Sequence, residues 1–178
     1  MRTSIGIDVE ASPELVYRLA RDVSAWERLL PHYARSRVVA RHPDGALTCA
    51  FVARRPMLPI LGLGLPVAWR SRTWHDPATR RLFFVHVAGA TRGMAVTWTI
   101  DALGGDLERT RIEISHDFSP RMPGLAAFVD RWFTRPIAGR TLRTFKQLAE
   151  AVRPVVGAMS DATSDATSET SPVTNPSS

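Results

Sequence analysis

Between Tyr33 and Phe118 the chain runs through six successive segments in which apolar residues recur at every second position. That period belongs to strands, whose successive side chains point to opposite faces, and no helix reproduces it. The segments are YARSRVVAR, ALTCAFVAR, PVAWRSRTW, RLFFVHVA, GMAVTWTIDAL and LERTRIEISHDF. Short turn signals separate several of them: His42-Pro43-Asp44-Gly45, the stretch HDPATR, and Gly104-Gly105-Asp106. Strands joined this closely pair as antiparallel hairpins.

An earlier strand, SIGIDVEA, places Ile5, Ile7 and Val9 on one face. Ser12 then suits a helix N-cap, Pro13 the first helical position and Glu14 the positive helix end. A second short helix fits Ser24 to Leu30 and stops at Pro31, because a residue before proline is pushed out of the helical region. After the last strand, PGLAAFVDRWFTRPIAGRTLRTFKQLAEAV has helical spacing at Leu125, Val129 and Trp132, then at Leu142, Phe145, Ala149 and Val152. The phase slips near Pro136, where a kink is expected.

The expected fold is therefore α+β. Seven antiparallel strands form a curved sheet wrapped around one long C-terminal helix, with two short helices after the first strand. A strongly curved sheet does not close completely on one helix. The space left is a candidate cavity, with the two short helices over its mouth. The corner AWERLLPHY is unusually apolar for a helix-to-strand connection, as a lid would be.

Residues 1–154 read as one domain and 155–178 as a disordered, low-complexity tail, since Asp-Ala-Thr-Ser repeats with few bulky apolar groups cannot offset the entropy of ordering. All 23 basic residues precede Pro154, and 22 of them are Arg. They are spread along the chain without a dense cluster or recognition-helix pattern. No nucleic-acid partner is expected; an acidic partner protein is the residual reading of the charge. No stretch is long and apolar enough to span a bilayer, no signal peptide is evident, and Cys49 is the only cysteine, so a cytoplasmic protein without disulfides is expected. The five histidines lack metal-ligand spacing, no Gly-x-Ser-x-Gly elbow occurs, and LGLGLP is only a Gly-rich bend. Neither a metal nor another cofactor is implied.

The element order, with DVSAWERLLPHYARSRVV and RRLFFVHVAGATRGMAVTW, resembles the helix-grip superfamily of START-like proteins, over about Thr3 to Arg153. The likeness is to its polyketide cyclase/dehydrase and lipid-transport branch. Trp26 and Tyr33, Trp69 and Ser71, and Met94 and Trp98 match the pocket spacing of bacterial aromatase/cyclases. The resemblance also implies an Arg two positions after the Ser, where this chain has Thr73. The segment WERLLPHYARSRV is similar as well to coenzyme-Q-binding proteins.

Alternation then sorts the side chains. Trp69, Ser71, Thr73 and His75 share one face of their strand, and Arg70, Arg72 and Trp74 the other. Leu82, Phe84 and His86 share a face, as do Met94, Val96, Trp98 and Ile100, and Ile112, Ile114, His116 and Phe118. The candidate catalytic groups are Tyr33 as proton donor, with His86 and Ser71 orienting or relaying. Trp26, Leu30, Trp69, Thr73, Phe84, Met94, Trp98, Phe128 and Trp132 are the candidate ligand contacts. An apolar cavity with few polar groups suits a hydrophobic small molecule. One reading is a cyclase/dehydratase acting on a poly-β-ketone, with an acidic acyl carrier protein as a partner. A second is a non-catalytic carrier of a lipid or isoprenoid quinone, and a third is a small interaction protein whose own side chains fill the cavity. A satisfied core histidine is the alternative reading of His86 and the favoured reading of His116.

Overall fold

The computed structural model describes residues 1–58, 63–120 and 124–164, without the side chains of 55–58, 63–65 and 153–164. The element order is β1 (Arg2–Val9), α1 (Pro13–Arg21), a 3-10 turn (Val23–Ala25), α2 (Trp26–Leu29), β2 (Tyr33–Arg41), β3 (Leu47–Leu58), β4 (Leu63–Asp76), β5 (Arg81–Gly89), β6 (Ala95–Leu103), β7 (Asp106–Asp117), α3 (Leu125–Val129), a π-helical turn (Asp130–Thr134) and α4 (Arg135–Ser164). The seven strands form one antiparallel sheet in the order β1-β7-β6-β5-β4-β3-β2. This is the α+β helix-grip fold. Part of the bend LGLGLP, and the tail beyond Ser164, lie outside the described residues.

Local chemistry sets the first connection. Ser12 caps α1 by accepting from the Leu15 amide at 3.4 Å, and Pro13 opens the helix. Leu30 leaves the helical region (φ −113°, ψ 99°) under the constraint of Pro31. Its carbonyl then accepts from the Tyr33 amide at 2.8 Å, which turns the chain straight into β2. Sequential strands β1 and β2 thus lie at opposite edges, and the helical corner bridges them.

The C-terminal helix closes the concave side. Gly139 lies along its contact with β1, where a Cβ would meet Ile5 Cδ1 at an ordinary contact distance of 3.4 Å. Lys146 Nζ donates to the Asp8 carbonyl at 2.8 Å, fastening the far end of the same contact. Gly89 has a different reason. Its φ is +98° and a Cβ would come within 2.6 Å of the Ala68 carbonyl, so the β4–β5 pairing requires glycine there.

The π turn absorbs the phase slip seen in the sequence. The Arg135 amide bonds to the Asp130 carbonyl, five residues back, immediately before Pro136, which has no amide to donate. One residue more than an α-turn requires rotates the helix face. Val129, Asp130, Thr134, Ala138, Thr141, Leu142, Phe145 and Ala149 are buried, whereas Trp132 is 40% exposed.

Candidate functional site

A cavity of about 80 Å³ lies between the sheet, the lid and the helix. The sheet contributes Phe51, Val67, Trp69, Phe84, His86, Val96, Trp98, Ile114 and His116, with Thr91 and Met94 from the β5–β6 connection. The lid contributes Trp26 and Tyr33, and the helix Phe133, Thr134, Ile137, Ala138 and Thr141. No charged side chain belongs to this wall among the described residues. The volume equals roughly half a dozen water-sized spheres and falls below the roughly 300–1,000 Å³ of most small-molecule sites. A ligand of several rings therefore fits only if wall side chains turn aside.

Trp26 is the hub of the lid. Its ring lies 5.3–6.0 Å from the rings of Trp98, Tyr33, Phe84, Phe51 and Phe145. Its indole nitrogen donates to the Ala20 carbonyl at 3.0 Å, so the one polar atom of this buried group is satisfied. The apolar character of AWERLLPHY is explained by this packing: Trp26, Leu30, His32 and Tyr33 are all buried.

Three polar groups face the cavity from the lid and sheet. Tyr33 is buried edge-on against Trp26, His32, Phe51 and Trp69. Burial raises its phenol well above the ordinary value, offset in part by the Thr141 hydroxyl, so it stays protonated. His86 stacks on Trp69 at 5.8 Å, and its Nδ1 lies 2.6 Å from Thr91 Oγ1, which leaves Nε2 as the free ring nitrogen. Burial, then the neighbouring His116, pushes its pKa down to about 3. Burial lowers His116 to about 4, and the Asp130 carboxylate works in the opposite direction. Both imidazoles are neutral at neutral pH.

Behind the wall sits a buried support. Asp130 accepts from Thr3 Oγ1 at 3.0 Å and from Arg135 Nε at 2.7 Å. Thr3 is the register partner of His116 across β1 and β7, which brings the carboxylate over that imidazole. On the lid side His32 Nε2 lies 2.9 Å from Thr141 Oγ1, and Thr141 Oγ1 donates to the Ile137 carbonyl at 2.9 Å. His32 Nδ1 is buried without a hydrogen-bond partner.

Of the residues expected from the sequence, Tyr33, His86, Trp26, Trp69, Phe84, Met94 and Trp98 come together in the cavity wall. Five do not. Leu30 is fully buried in the core beneath the lid. Ser71 faces His86 across the β4–β5 register, but its short side chain is recessed, fully buried and without a hydrogen-bond partner. Thr73 turns its hydroxyl to the Leu47 carbonyl at 3.5 Å and to Cys49 Sγ at 3.6 Å. Phe128 and Trp132 are half exposed and stack on each other at 6.1 Å, because the π turn presents Phe133 to the cavity instead. Sequence reasoning had no role for Phe51, Thr91, Thr134 or Thr141, and gave His116 only a place in the core. The alternation that put His116 on the inner face was the available signal.

A family model described as polyketide cyclase / dehydrase and lipid transport matches residues 9–146. Among solved structures, the Zhui aromatase/cyclase from Streptomyces sp. R1128 is similar at a TM-score of 0.69 and 19% identity, with 84% of this chain and 93% of that one covered. A START superfamily protein from Mycobacterium smegmatis is similar at 0.65 and 16%, covering 85% and 98%. The di-domain ARO/CYC BexL from the BE-7585A biosynthetic pathway is similar at 0.63 and 24%, covering 83% of this chain and 45% of that one. Among curated proteins no relative matches significantly.

Proposed function

The chain belongs to the polyketide cyclase/dehydrase and lipid-transport family, and from that premise we propose that its cavity binds a poly-β-ketone and catalyses an intramolecular aldol closure followed by dehydration. The observation that carries this reading is the convergence of one protonated phenol and two neutral imidazoles on a single aromatic-walled cavity. Such a wall excludes water and holds an apolar chain by its faces. Its few polar atoms are the right types to move a proton between carbon and oxygen.

The surroundings divide the labour. Asp130 offsets the positive charge of a protonated His116, whereas His116 opposes protonation of His86. His116 is thus the better proton acceptor and His86 the neutral hydrogen-bonding group for an enolising carbonyl. The base removes a proton from the carbon between two carbonyls, and the enolate carbon attacks a third carbonyl to form the ring bond. Tyr33 donates its proton to the resulting alkoxide and regains one from the base. Elimination then releases one water, and no oxidant or reductant is consumed. Trp69 and Phe133, partly exposed members of the wall, are the rings whose rotation admits the chain.

The test is turnover of a synthetic β-polyketone thioester. Tyr33→Phe should lower kcat by about 10²–10⁴-fold with binding retained, the range for loss of a general acid. Undiminished turnover would remove Tyr33 from the mechanism.

A second reading, carriage of a lipid or quinone without chemistry, is favoured by one feature: Thr73 stands where the resemblance implies an arginine, and no cation reaches the wall among the described residues. A stoichiometric lipid or quinone released from the native protein by organic solvent, together with no turnover, would establish it. An acidic carrier protein as the donor of the chain belongs to the first reading only.

A further inference from the structure

Arginines that are scattered in the sequence are gathered by the sheet onto its outer face. Arg37 on β2, Ala50 on β3 and Arg70 on β4 are consecutive register partners. The next row places Arg35 beside Val52 and Ala68, and the row on the other side places Thr48 beside Arg72. Arg54 continues the same face of β3. All five arginines are exposed. The side chains between them on β3 are small, so the face is a shallow trough with basic walls. Strands two apart are about 9.6 Å distant and alternate residues about 6.8 Å apart, which spaces the guanidinium groups for several separate anionic groups. At one end the trough finishes in Trp74 stacked on Phe83 at 5.4 Å, with Trp74 41% exposed.

The opposite half of the same outer face is neutralised. Arg111 pairs with Asp8 at 2.8 Å, Arg109 with Glu10 at 3.0 Å and Arg2 with Asp117 at 3.1 Å. In the trough, Arg72 is paired with Asp44 and Arg37 reaches Glu27 at 3.7 Å, both acids lying outside the strands. Arg35, Arg54 and Arg70 form no ion pair among the described residues.

We propose that this trough on β2–β4, ending at Trp74, docks the acidic surface of a partner protein. Carboxylates are favoured over phosphates on two grounds. The two acids that already border the trough show guanidinium groups engaging carboxylates, and arginine with an exposed tryptophan is the composition of protein-interface anchors. No aromatic side chain interrupts the trough to stack bases along a polynucleotide. The area, about 14 Å by 20 Å from strand spacings, is that of a weak, salt-sensitive contact. The inference is independent of the chemistry in the cavity, which opens on the opposite face of the sheet.

The experiment titrates the full chain with a fluorescent poly-glutamate peptide, a (dT)20 oligonucleotide and phosphatidylserine-containing vesicles. The peptide should bind the wild type at low salt and be released near 0.5 M salt, where screening is nearly complete within about 4 Å. Arg35→Glu/Arg70→Glu should weaken peptide binding by about tenfold or more, the sum of two modest ion pairs. Arg18→Glu/Arg131→Glu changes the net charge equally, at exposed positions elsewhere, and should leave binding within about twofold. Circular dichroism verifies that both variants fold. Equal losses in the two variants would reduce the effect to net charge and overturn the proposal. So would trough-dependent binding of the oligonucleotide or the vesicles in preference to the peptide.

Discussion

The cavity has two kinds of wall, and they were built by rules of different tolerance. On the sheet side, parity allows a side chain only two directions, so Phe84 and His86, or Trp98 and Ile114, reach the interior together once strand and register exist. On the helix side, direction is an angle, and one extra residue in the π turn rotates every position before it relative to those after it. The sheet wall holds the imidazoles and most of the aromatic rings; the helix wall supplies one ring, Phe133, beside hydroxyls and small or aliphatic groups. The imidazoles therefore reside on the wall that is hard to misplace, and the wall that slides carries none.

The largest effect expected from this division is on acid stability, because the titratable groups in the cavity all sit on the sheet and lid. The His86 and His116 pKa values, about 3 and about 4, lie below the ordinary 6.5 of the unfolded chain. Below pH 6.5 the unfolded state binds protons that the folded state refuses, so stability is complete above that pH and falls as pH drops toward 4. The loss should be on the order of 3 kcal/mol for each histidine. Urea unfolding between pH 7 and 4 measures it, and His86→Gln or His116→Gln should flatten the slope. A slope unchanged in both variants would place the titration elsewhere, His32, lowered to about 4 and buried on the lid, being next.

Trp26→Ala tests the hub that joins the two walls. It removes a ring in contact with five others, and should cost about 3–5 kcal/mol of unfolding free energy. A loss under about 1 kcal/mol, the usual figure for an exposed site, would mean that the lid is loosely seated.

Much of this was legible in the sequence, and the sheet more than the helix. The seven strands, the two short helices and the inner face of each strand followed from period two and from Ser12, Pro13 and Pro31. Trp26, Trp69, Met94 and Trp98 were reached through spacing shared with a family, which local pattern alone would have left as core. The slip near Pro136 was visible, but its consequence was not: a proline announces a missing amide, not how the helix recovers its phase. The arginine trough was invisible for a related reason. Arg35 and Arg70 are far apart in the chain, and only the β2–β3–β4 register makes them neighbours.

Thr141 ties the helix wall to the lid, and its expected effect is intermediate. Thr141→Val keeps the shape but removes the hydroxyl that bonds His32 Nε2 and the Ile137 carbonyl, leaving the buried imidazole without a partner. The cost should be about 1–3 kcal/mol. Thr144→Val, whose hydroxyl also bonds its own helix at 3.1 Å but is exposed, is the matched control and should be near neutral.

The smallest effect is the sharpest test of the helical phase. Trp132 and Phe133 are adjacent, and the sequence pattern favoured the first while the structure presents the second to the cavity. Trp132→Ala removes a half-exposed ring that stacks on Phe128, so stability should change by no more than about 1 kcal/mol. Affinity for a cavity dye such as anilinonaphthalene sulfonate should stay within about twofold, since no wall group is lost. Phe133→Ala enlarges the cavity and should shift the dye affinity by about tenfold, the consequence of changing one aromatic contact. If the two variants exchange these phenotypes, the helix is α-helical through Asp130–Thr134 and its wall is turned by one residue. The sheet wall would be untouched by that result, because no rotation of the helix alters the parity of a strand.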